Sequence, residues 1–150
     1  MKQLTSLDIP FLSADEVLSG PLHARCDLVL DALFGFSFRG EPKPPFDALL
    51  AALCCEPGTP PVASIDIPSG WDVEAGDVGG GGIKPDLLVS LTAPKLGVKD
   101  FAGRHHFLGG RFVPPAIATR FSLRLPAFRG SQQCVRMPPP GRADADELRR

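Results

Sequence analysis

Three short apolar runs, each followed by polar or turn-forming residues, dominate the pattern of the chain. They cover residues 27–34, 62–67 and 86–91. Each run is almost continuously apolar rather than alternating, which is typical of parallel strands that are covered on both faces. Loops rich in Gly, Pro and polar residues follow each run. The pattern therefore predicts a parallel sheet with polar loops along its carboxyl edge.

Helical periodicity occurs between the first two predicted strands. The apolar residues Phe46, Leu49, Leu50 and Leu53 lie at positions i, i+3, i+4 and i+7, which places them on one face of a helix. Two prolines precede this segment, and Glu-Pro-Gly ends it at residues 56–58. Strand, helix and strand in this order predict a right-handed βαβ unit.

The other segments predict short or irregular structure. Residues 13–20 begin with a capping serine and end in glycine, which indicates a short helical turn. A further short strand is predicted within residues 107–113, and a last helical turn at 114–118. From residue 130 the chain is rich in Pro and Arg, which is typical of a disordered tail or a linker. We thus expect a domain over residues 1–129 and a tail over 130–150.

Composition narrows the class of protein. The chain has 150 residues, of which 43% are hydrophobic and 22% charged, as in a single globular domain. A net charge of −1 argues against a nucleic-acid-binding or polybasic membrane surface. No apolar run reaches the ~18 residues of a membrane helix. The four cysteines lack zinc spacing and indicate a reducing compartment. The first residues match no signal or transit peptide.

Two carboxylates interrupt the apolar runs. Asp31 lies within the first run, and Asp66 lies between Ile65 and Ile67 at the end of the second. Burying an ionised carboxylate without partners is costly, so each should pair, bind a cation or accept several hydrogen bonds. Ligands of open α/β sheets bind at the carboxyl ends of strands, where Asp66 could give and take protons. A structural role in orienting a loop remains an open alternative for both residues.

Three further features could belong to the same edge. Ser69, in a Pro-Ser-Gly turn outside any GxSxG motif, could offer an oxygen atom to a cation or ligand, or simply form the turn. Lys95 follows the third apolar run and could face either the crevice or solvent. His105 and His106 are adjacent, so their side chains point apart on a strand and do not predict a metal pair.

A glycine-bounded loop follows the first strand over residues 35–40. Its backbone N–H groups could hold a phosphate, with Arg39 or Lys43 supplying the opposite charge. The loop matches neither GxGxxG nor a P-loop, so the residues alone favour an ordinary strand-to-helix connection over a phosphate site.

Four motifs, taken in order, resemble one family. They are Asp-Ala-Leu-Phe-Gly-Phe-Ser-Phe-Arg-Gly at 31–40, Ser-Ile-Asp-Ile-Pro-Ser-Gly-Trp-Asp-Val at 64–73, Leu-Thr-Ala-Pro-Lys at 91–95, and Phe-Leu-Gly-Gly-Arg-Phe-Val-Pro-Pro at 107–115. Over about Asp8 to Phe121 the chain resembles the NAD(P)H-hydrate epimerases, the YjeF N-terminal domain family, whose animal member is called apolipoprotein A-I-binding protein. The resemblance implies a Rossmann-like three-layer α/β/α sandwich with a mostly parallel sheet.

The resemblance also implies an activity and a set of site residues. The family are isomerases of nucleotide repair that interconvert the R and S hydrates of NADH and NADPH (NADHX and NADPHX). It implies Asp66 as the catalytic acid/base, and Asp31 and Ser69 as ligands of a potassium ion. Substrate contacts would come from Asp66 and from the loop residues Gly35, Phe36, Ser37, Phe38, Arg39, Gly40 and Glu41. A homodimer, and a mitochondrial, plastid or cytosolic location, are compatible with the family.

Departures from the family pattern qualify these expectations. A glycine-rich Asn-Asn-Gly-Gly-Asp-type loop of the family is absent from these residues, so we expect the chain to match the carboxyl-terminal part of the domain. The sheet would then be truncated at its N-terminal half, with an apolar edge exposed. We expect such a chain to be poorly stable and weakly active or inactive. Plant-type members carry a fused pyridoxamine-phosphate-oxidase domain, to which the tail could lead.

Two other functions compete with the epimerase. The animal name suggests a non-catalytic protein-binding module. A sugar- or nucleotide-kinase-like fragment is disfavoured, because the sequence contains no phosphate-transfer constellation with metal-binding carboxylates and a catalytic base.

Overall fold

A five-stranded, mostly parallel sheet forms the centre of the protein. The computed structural model describes residues 2–55 and 58–138. The strands are β1 (Val29–Asp31), β2 (Val62–Ile65), β3 (Leu87–Leu91), β4 (His105–Gly109) and β5 (Cys134–Arg136). They lie in the order β1-β2-β3-β4-β5; the first four are parallel, and β5 is antiparallel to β4. The fold is α/β and Rossmann-like, as predicted.

Four short helices accompany the sheet. They are α1 (Lys2–Thr5), α2 (Ala14–Leu18), α3 (Phe46–Cys55) and α4 (Pro115–Arg120), with 3-10 turns at Leu22–Ala24 and Leu96–Val98. Helix α3 connects β1 to the parallel strand β2, which confirms the predicted βαβ unit. A reciprocal pair of hydrogen bonds between Ser13 and Glu16 caps α2. The predicted helical turns at 13–20 and 114–118 are therefore present.

The core lies under β2 and β3. Leu88, which is fully buried, packs with Ile67, Val98 and Phe101, and Trp71 and Val73 cover this cluster from one side. Ile83 is also fully buried, and its carbonyl accepts a 2.8 Å hydrogen bond from the Trp71 indole N–H. The glycine-rich segment between β2 and β3 is therefore anchored to the core at both of its ends.

Strand β1 departs from its prediction, because only one of its faces is covered. Asp31 is 2% exposed, whereas Leu28 and Leu30 are 58% and 64% exposed. Strand β1 forms an edge of the five-stranded sheet, with β2 as its neighbour in the described part of the chain. An apolar sequence shows that a strand can be buried on both faces but not which element covers it. The apolar edge expected from the resemblance is thus present.

The carboxyl-terminal segment also differs from its prediction. Residues Cys134–Arg136, predicted to be disordered, form β5 and pair with β4, with Val135 opposite Leu108. Hydrogen bonds from Met137 N–H to the His106 carbonyl (2.8 Å) and from Gly110 N–H to the Gln133 carbonyl (3.1 Å) extend the pairing. The surrounding Pro and Arg residues obscured a three-residue strand. The tail beyond residue 138 lies outside the described residues.

Strand β4 lies slightly earlier in the chain than predicted. The strand predicted within residues 107–113 begins two residues earlier, so it contains His105 and His106 and ends at Gly109. Among the described residues, every helix is too short or too polar to cross a membrane.

Candidate functional site

The carboxyl ends of three neighbouring strands bring the predicted site residues to one edge of the sheet. Asp31 is the last residue of β1, Asp66 directly follows β2, and Lys95 lies four residues after the end of β3. Since these strands are parallel and adjacent, their carboxyl ends lie at the same edge. Two polar centres lie at this edge, one around Asp31 and the other around Asp66.

The first centre is Asp31, whose carboxylate accepts four hydrogen bonds. One oxygen, Oδ2, accepts from the Ser64 hydroxyl at 2.7 Å and from the Ser69 backbone N–H at 2.9 Å. The other, Oδ1, accepts from the Ser69 hydroxyl at 2.6 Å and from the Leu33 backbone N–H at 3.3 Å. Asp31, Ser64 and Ser69 are all at most 2% exposed. These bonds compensate the burial of the carboxylate and join β1 to the turn after β2.

Ser64 was missed as a candidate, although the sequence contained a signal for it. It is a polar residue inside the second apolar run, and the parallel register places it directly opposite Asp31. Two polar residues inside neighbouring apolar strands have to satisfy one another when both are buried. The distance of 33 residues along the chain conceals this pair until the register is known.

The chemistry of this cluster suits a hard cation. Carboxylate and hydroxyl oxygens from Asp31, Ser64 and Ser69 converge within hydrogen-bond distance, and serine hydroxyls can rotate to present lone pairs. Within residues 2–55 and 58–138, no group of three or more His, Cys, Asp or Glu is placed to hold a metal. Oxygen donors of this kind suit hard cations better than soft transition metals.

The second centre is Asp66, which has both carboxylate oxygens engaged. Oδ2 accepts a 2.9 Å hydrogen bond from the Phe36 backbone N–H, and Oδ1 pairs with the Lys95 ammonium. The Asp66 side chain is 10% exposed. Its backbone has a φ of 75°, a left-handed conformation that costs a non-glycine residue roughly 1–3 kcal/mol. Such strain is typical of functional positions that the surrounding structure holds in place.

The beginning of the predicted substrate loop lies against Asp66. A side chain on Gly35 would bring its Cβ to 3.2 Å from Asp66 Oδ2, so glycine permits this close approach. Next to it, Phe34 stacks on Phe38 with ring centroids 4.0 Å apart and contacts Phe46 of α3 edge-on. Aromatic packing therefore fixes the start of the loop relative to the carboxylate.

The rest of the loop is exposed. Ser37, Arg39, Gly40 and Glu41 are open to solvent, and Arg39 Nη1 donates to the Phe36 and Phe38 carbonyls at 2.9 and 3.0 Å. The structure thus brings Gly35 and Phe36 to Asp66 and leaves most of residues 37–41 at the surface. The Arg39 cap and the half-buried Phe38, whose N–H donates to the Gly35 carbonyl at 3.0 Å, organise this part of the loop. Lys43, the other predicted countercharge, is also exposed.

Asp72 lies in the next loop, close enough to Arg39 to respond to its charge. Hydrogen bonds from the Ala75 and Glu74 backbone N–H groups, at 2.8 and 2.9 Å, lower the pKa of Asp72, and the Arg39 charge adds to this effect. The loop after β2 therefore carries an ionised carboxylate on the same side as the predicted substrate loop.

The two adjacent histidines do point apart. His106 Nε2 and the buried Ser90 hydroxyl form a 2.9 Å hydrogen bond, and the His106 ring contacts Phe101 edge-on. His105 is exposed and lies 3.4 Å from Arg136 on β5. Burial lowers the pKa of His106. Both histidines therefore contact side chains of neighbouring strands rather than Asp66.

The lowered pKa of His106 predicts a loss of stability in mild acid. The unfolded chain, in which histidine has a pKa of about 6.5, binds a proton there more readily than the folded protein does. Stability should therefore fall as the pH drops through about 6.5. We expect a lower urea midpoint at pH 5.5 than at pH 7.5, and a smaller difference in His106→Gln. His105→Gln is the control, and an unchanged pH dependence in His106→Gln would contradict the assignment.

A cavity of about 510 Å³ lies elsewhere in the protein. It is lined in part by Trp71, Asp77, Lys84, Asp100 and Phe101. Its lining also includes residues that immediately precede β3 and β4, which places it towards the amino ends of these strands. Neither carboxylate centre contributes to this cavity.

Comparisons with known proteins agree with the fold. Residues 1–97 match the family model described as YjeF-related protein N-terminus. The chain is 50% identical over 154 residues to pyridoxine/pyridoxamine 5'-phosphate oxidase 1, chloroplastic, of Arabidopsis thaliana, and the match covers 98% of the chain but 29% of that protein. A crystal structure of yeast YNL200c superimposes with a TM-score of 0.77 at 31% identity, covering 91% of this chain and 58% of the yeast chain.

These matches extend over most of the chain but only part of each relative. The family model covers both carboxylate centres and reaches Lys95. The yeast structure is 31% identical in sequence to this chain, so the two proteins share residues as well as a fold. The chain therefore belongs to the family of YjeF-related protein N-terminal domains.

Proposed function

We propose that this chain carries NAD(P)H-hydrate epimerase chemistry and interconverts the R and S hydrates of NADH and NADPH. The observation that carries the proposal is Asp66, a nearly buried carboxylate at the carboxyl end of β2, held beside the start of the loop that follows β1. Membership of the YjeF-related family supports it. The oxidase name of the Arabidopsis relative describes a longer protein, of which this chain spans 29%.

Asp66 is the acid/base of the proposed reaction. Epimerisation at a ring carbon that bears a hydroxyl group can proceed when the hydroxyl proton is removed and the bond from this carbon to the ring nitrogen opens, leaving an aldehyde and the electron pair on nitrogen. The nitrogen then closes the ring on the opposite face of the aldehyde, and the proton returns to the oxygen. A carboxylate beside this carbon can take a proton in one step and return it in the next. Because Phe36 and Lys95 hold its two oxygens, Asp66 is presented to the crevice in a fixed orientation.

Substrate binding is assigned to the loop from Gly35 to Glu41. Gly35 and Phe36 contact Asp66, and the residues from 37 to 41, which are exposed except for the half-buried Phe38, would reach the more distant parts of a dinucleotide. Arg39, whose Nη1 is bound to the loop carbonyls, brings a positive charge that suits a phosphate group.

Potassium is the cofactor that fits the Asp31 cluster. Asp31 and Ser69 would hold the ion through their oxygen atoms, and Ser64 adds a second hydroxyl oxygen to the cluster. A bound cation would supply positive charge at the strand ends and fix the turn after β2. The fold brings these oxygens close to the loop that follows β1. The Ser69 hydroxyl accepts a 3.3 Å hydrogen bond from the backbone N–H of Phe34, at the start of that loop.

An epimerisation assay tests the proposal. Purified R hydrate of NADPH is incubated with a high concentration of the chain in potassium buffer, and the appearance of the S hydrate is followed by chromatography. We expect a rate above the spontaneous one. Binding of the hydrate is measured in parallel from amide shifts of residues 35–41. A rate equal to that in buffer alone would contradict the epimerase assignment.

A further inference from the structure

Lys95 is partly buried beside Asp66 and uses all of its hydrogen-bonding capacity within the protein. A lysine ammonium has about three N–H donors. Those of Lys95 are directed to Asp66 Oδ1, to the Leu91 carbonyl at 2.9 Å and to the Ala93 carbonyl at 3.3 Å. The Lys95 side chain is 15% exposed. A lysine in this state has no donor left for a phosphate or for a reacting atom of the substrate.

The backbone around Lys95 is shaped to hold its ammonium. Thr92 has a φ of 67°, which is unusual for a β-branched residue, and its N–H is fixed by the Gly109 carbonyl of β4 at 3.0 Å. Ala93 N–H closes a tight turn onto the Leu91 carbonyl at 2.7 Å. This turn presents two carbonyl oxygens to the same ammonium group. Strain in this turn and at Asp66 is therefore compensated around one ion pair.

The ion pair also connects two loops. Asp66 receives Lys95 on one oxygen and the Phe36 N–H on the other, and the Lys95 ammonium lies 5.6 Å from the centre of the Phe36 ring. Removing Lys95 would leave a nearly buried carboxylate with one partner, free to rotate away from the Phe36 N–H. The position of residue 36 thus depends on a side chain 59 positions away.

We propose that Lys95 is a positioning residue, which fixes the Asp66 carboxylate and, through it, the start of the substrate loop. The expected change in kcat rests on the proposed function, whereas the expected change in the position of Phe36 does not. Lys95 acts through Asp66 and does not contact the substrate. Its loss should therefore lower kcat much more than it raises KM, because Asp66 is displaced while only the start of the assigned substrate-binding loop moves with it.

Kinetics of Lys95 variants provide the first test. In Lys95→Met, which keeps the length of the side chain and removes its charge, we expect kcat to fall about 10²-fold while KM stays within about threefold. Lys95→Arg, which keeps the charge and the donors, should recover most of kcat. Lys99→Met, at an exposed position four residues further on, is the matched control. A rise in KM at constant kcat would overturn the proposal, because it would indicate a direct substrate contact.

An amide spectrum separates this proposal from the proposed function. In a ¹⁵N-labelled chain, Lys95→Met should shift the Phe36 N–H resonance in the same direction as Asp66→Asn does. The Leu33 N–H, which donates to Asp31, should stay in place in both variants. If the parent chain shows no turnover, the epimerase assignment fails, but the Phe36 resonance still decides the role of Lys95. An unchanged Phe36 resonance in Lys95→Met would overturn the positioning role.

Discussion

Replacing Asp66 by asparagine is expected to lower the catalysed rate of epimerisation by about 10²–10⁴-fold, the usual contribution of a positioned acid/base. Asparagine has the shape of aspartate and tolerates a positive φ well, so it can occupy the backbone conformation of residue 66. Its amide oxygen can still accept from the Phe36 N–H, while its NH₂ group then faces the Lys95 ammonium, which keeps its bonds to two backbone carbonyls. The substitution therefore removes the proton-transfer group while it preserves the fold.

The measurement is the first-order rate of conversion of purified R hydrate, after subtraction of the spontaneous rate. Asp47→Asn is a matched control, because Asp47 is exposed in the first turn of α3, where its Oδ1 accepts a 2.8 Å hydrogen bond from the Ala48 N–H. If Asp66→Asn keeps a rate within about threefold of the parent, Asp66 is not the acid/base. A protein-binding module would not need this carboxylate for chemistry, so the same variant separates the two functions considered from the sequence.

The second large effect concerns stability, and we expect it at Asp31. In Asp31→Ala, the Ser64 hydroxyl and the Ser69 hydroxyl and N–H lose a buried acceptor. Each unsatisfied buried donor costs about 1–3 kcal/mol, so the free energy of unfolding should fall by about 3–5 kcal/mol. A small domain has little stability in excess of this amount, and the variant could fail to fold.

Asp31→Asn provides a milder version of the same test. Whichever way its amide is turned, the NH₂ group faces a backbone N–H, either that of Ser69 or that of Leu33. Backbone donors cannot rotate away, so we expect a loss of about 1–3 kcal/mol, smaller than in Asp31→Ala. Urea unfolding of both variants, with the exposed Asp27→Ala as control, measures the order. A loss below about 1 kcal/mol in Asp31→Ala would show that the cluster contributes little.

The sequence located both carboxylates, because a charge inside an apolar run stands out. It also predicted that they share one edge, since continuous apolar runs indicate parallel strands and parallel strands end together. The partners of these carboxylates were not predictable in the same way. Ser64 and Ser69 lie 33 and 38 residues from Asp31, and Lys95 lies 29 residues from Asp66, so only the register of the sheet brings them together.

Two features of the fold were mispredicted for related reasons. The sequence of β1 is apolar enough for a strand covered on both faces, but the cover is a property of the neighbouring elements and not of the strand. Strand β5 has only three residues among prolines and arginines, and its pairing with β4 depends on contacts between Val135 and Leu108. Short strands that form through long-range pairing leave little signal in their own sequence.

The positive φ angle of Asp66 means that stability and activity favour different residues at this position. Glycine would suit the backbone of residue 66 best, yet glycine has no carboxylate to offer. Selection for thermal endurance alone would therefore favour a change that removes the proposed chemistry, a trade-off that is common at functional positions. Thr92 has the same conformation but contributes its backbone rather than a side chain to the Lys95 turn. A substitution that relieves backbone strain and raises the stability of this domain is therefore better placed at residue 92 than at residue 66.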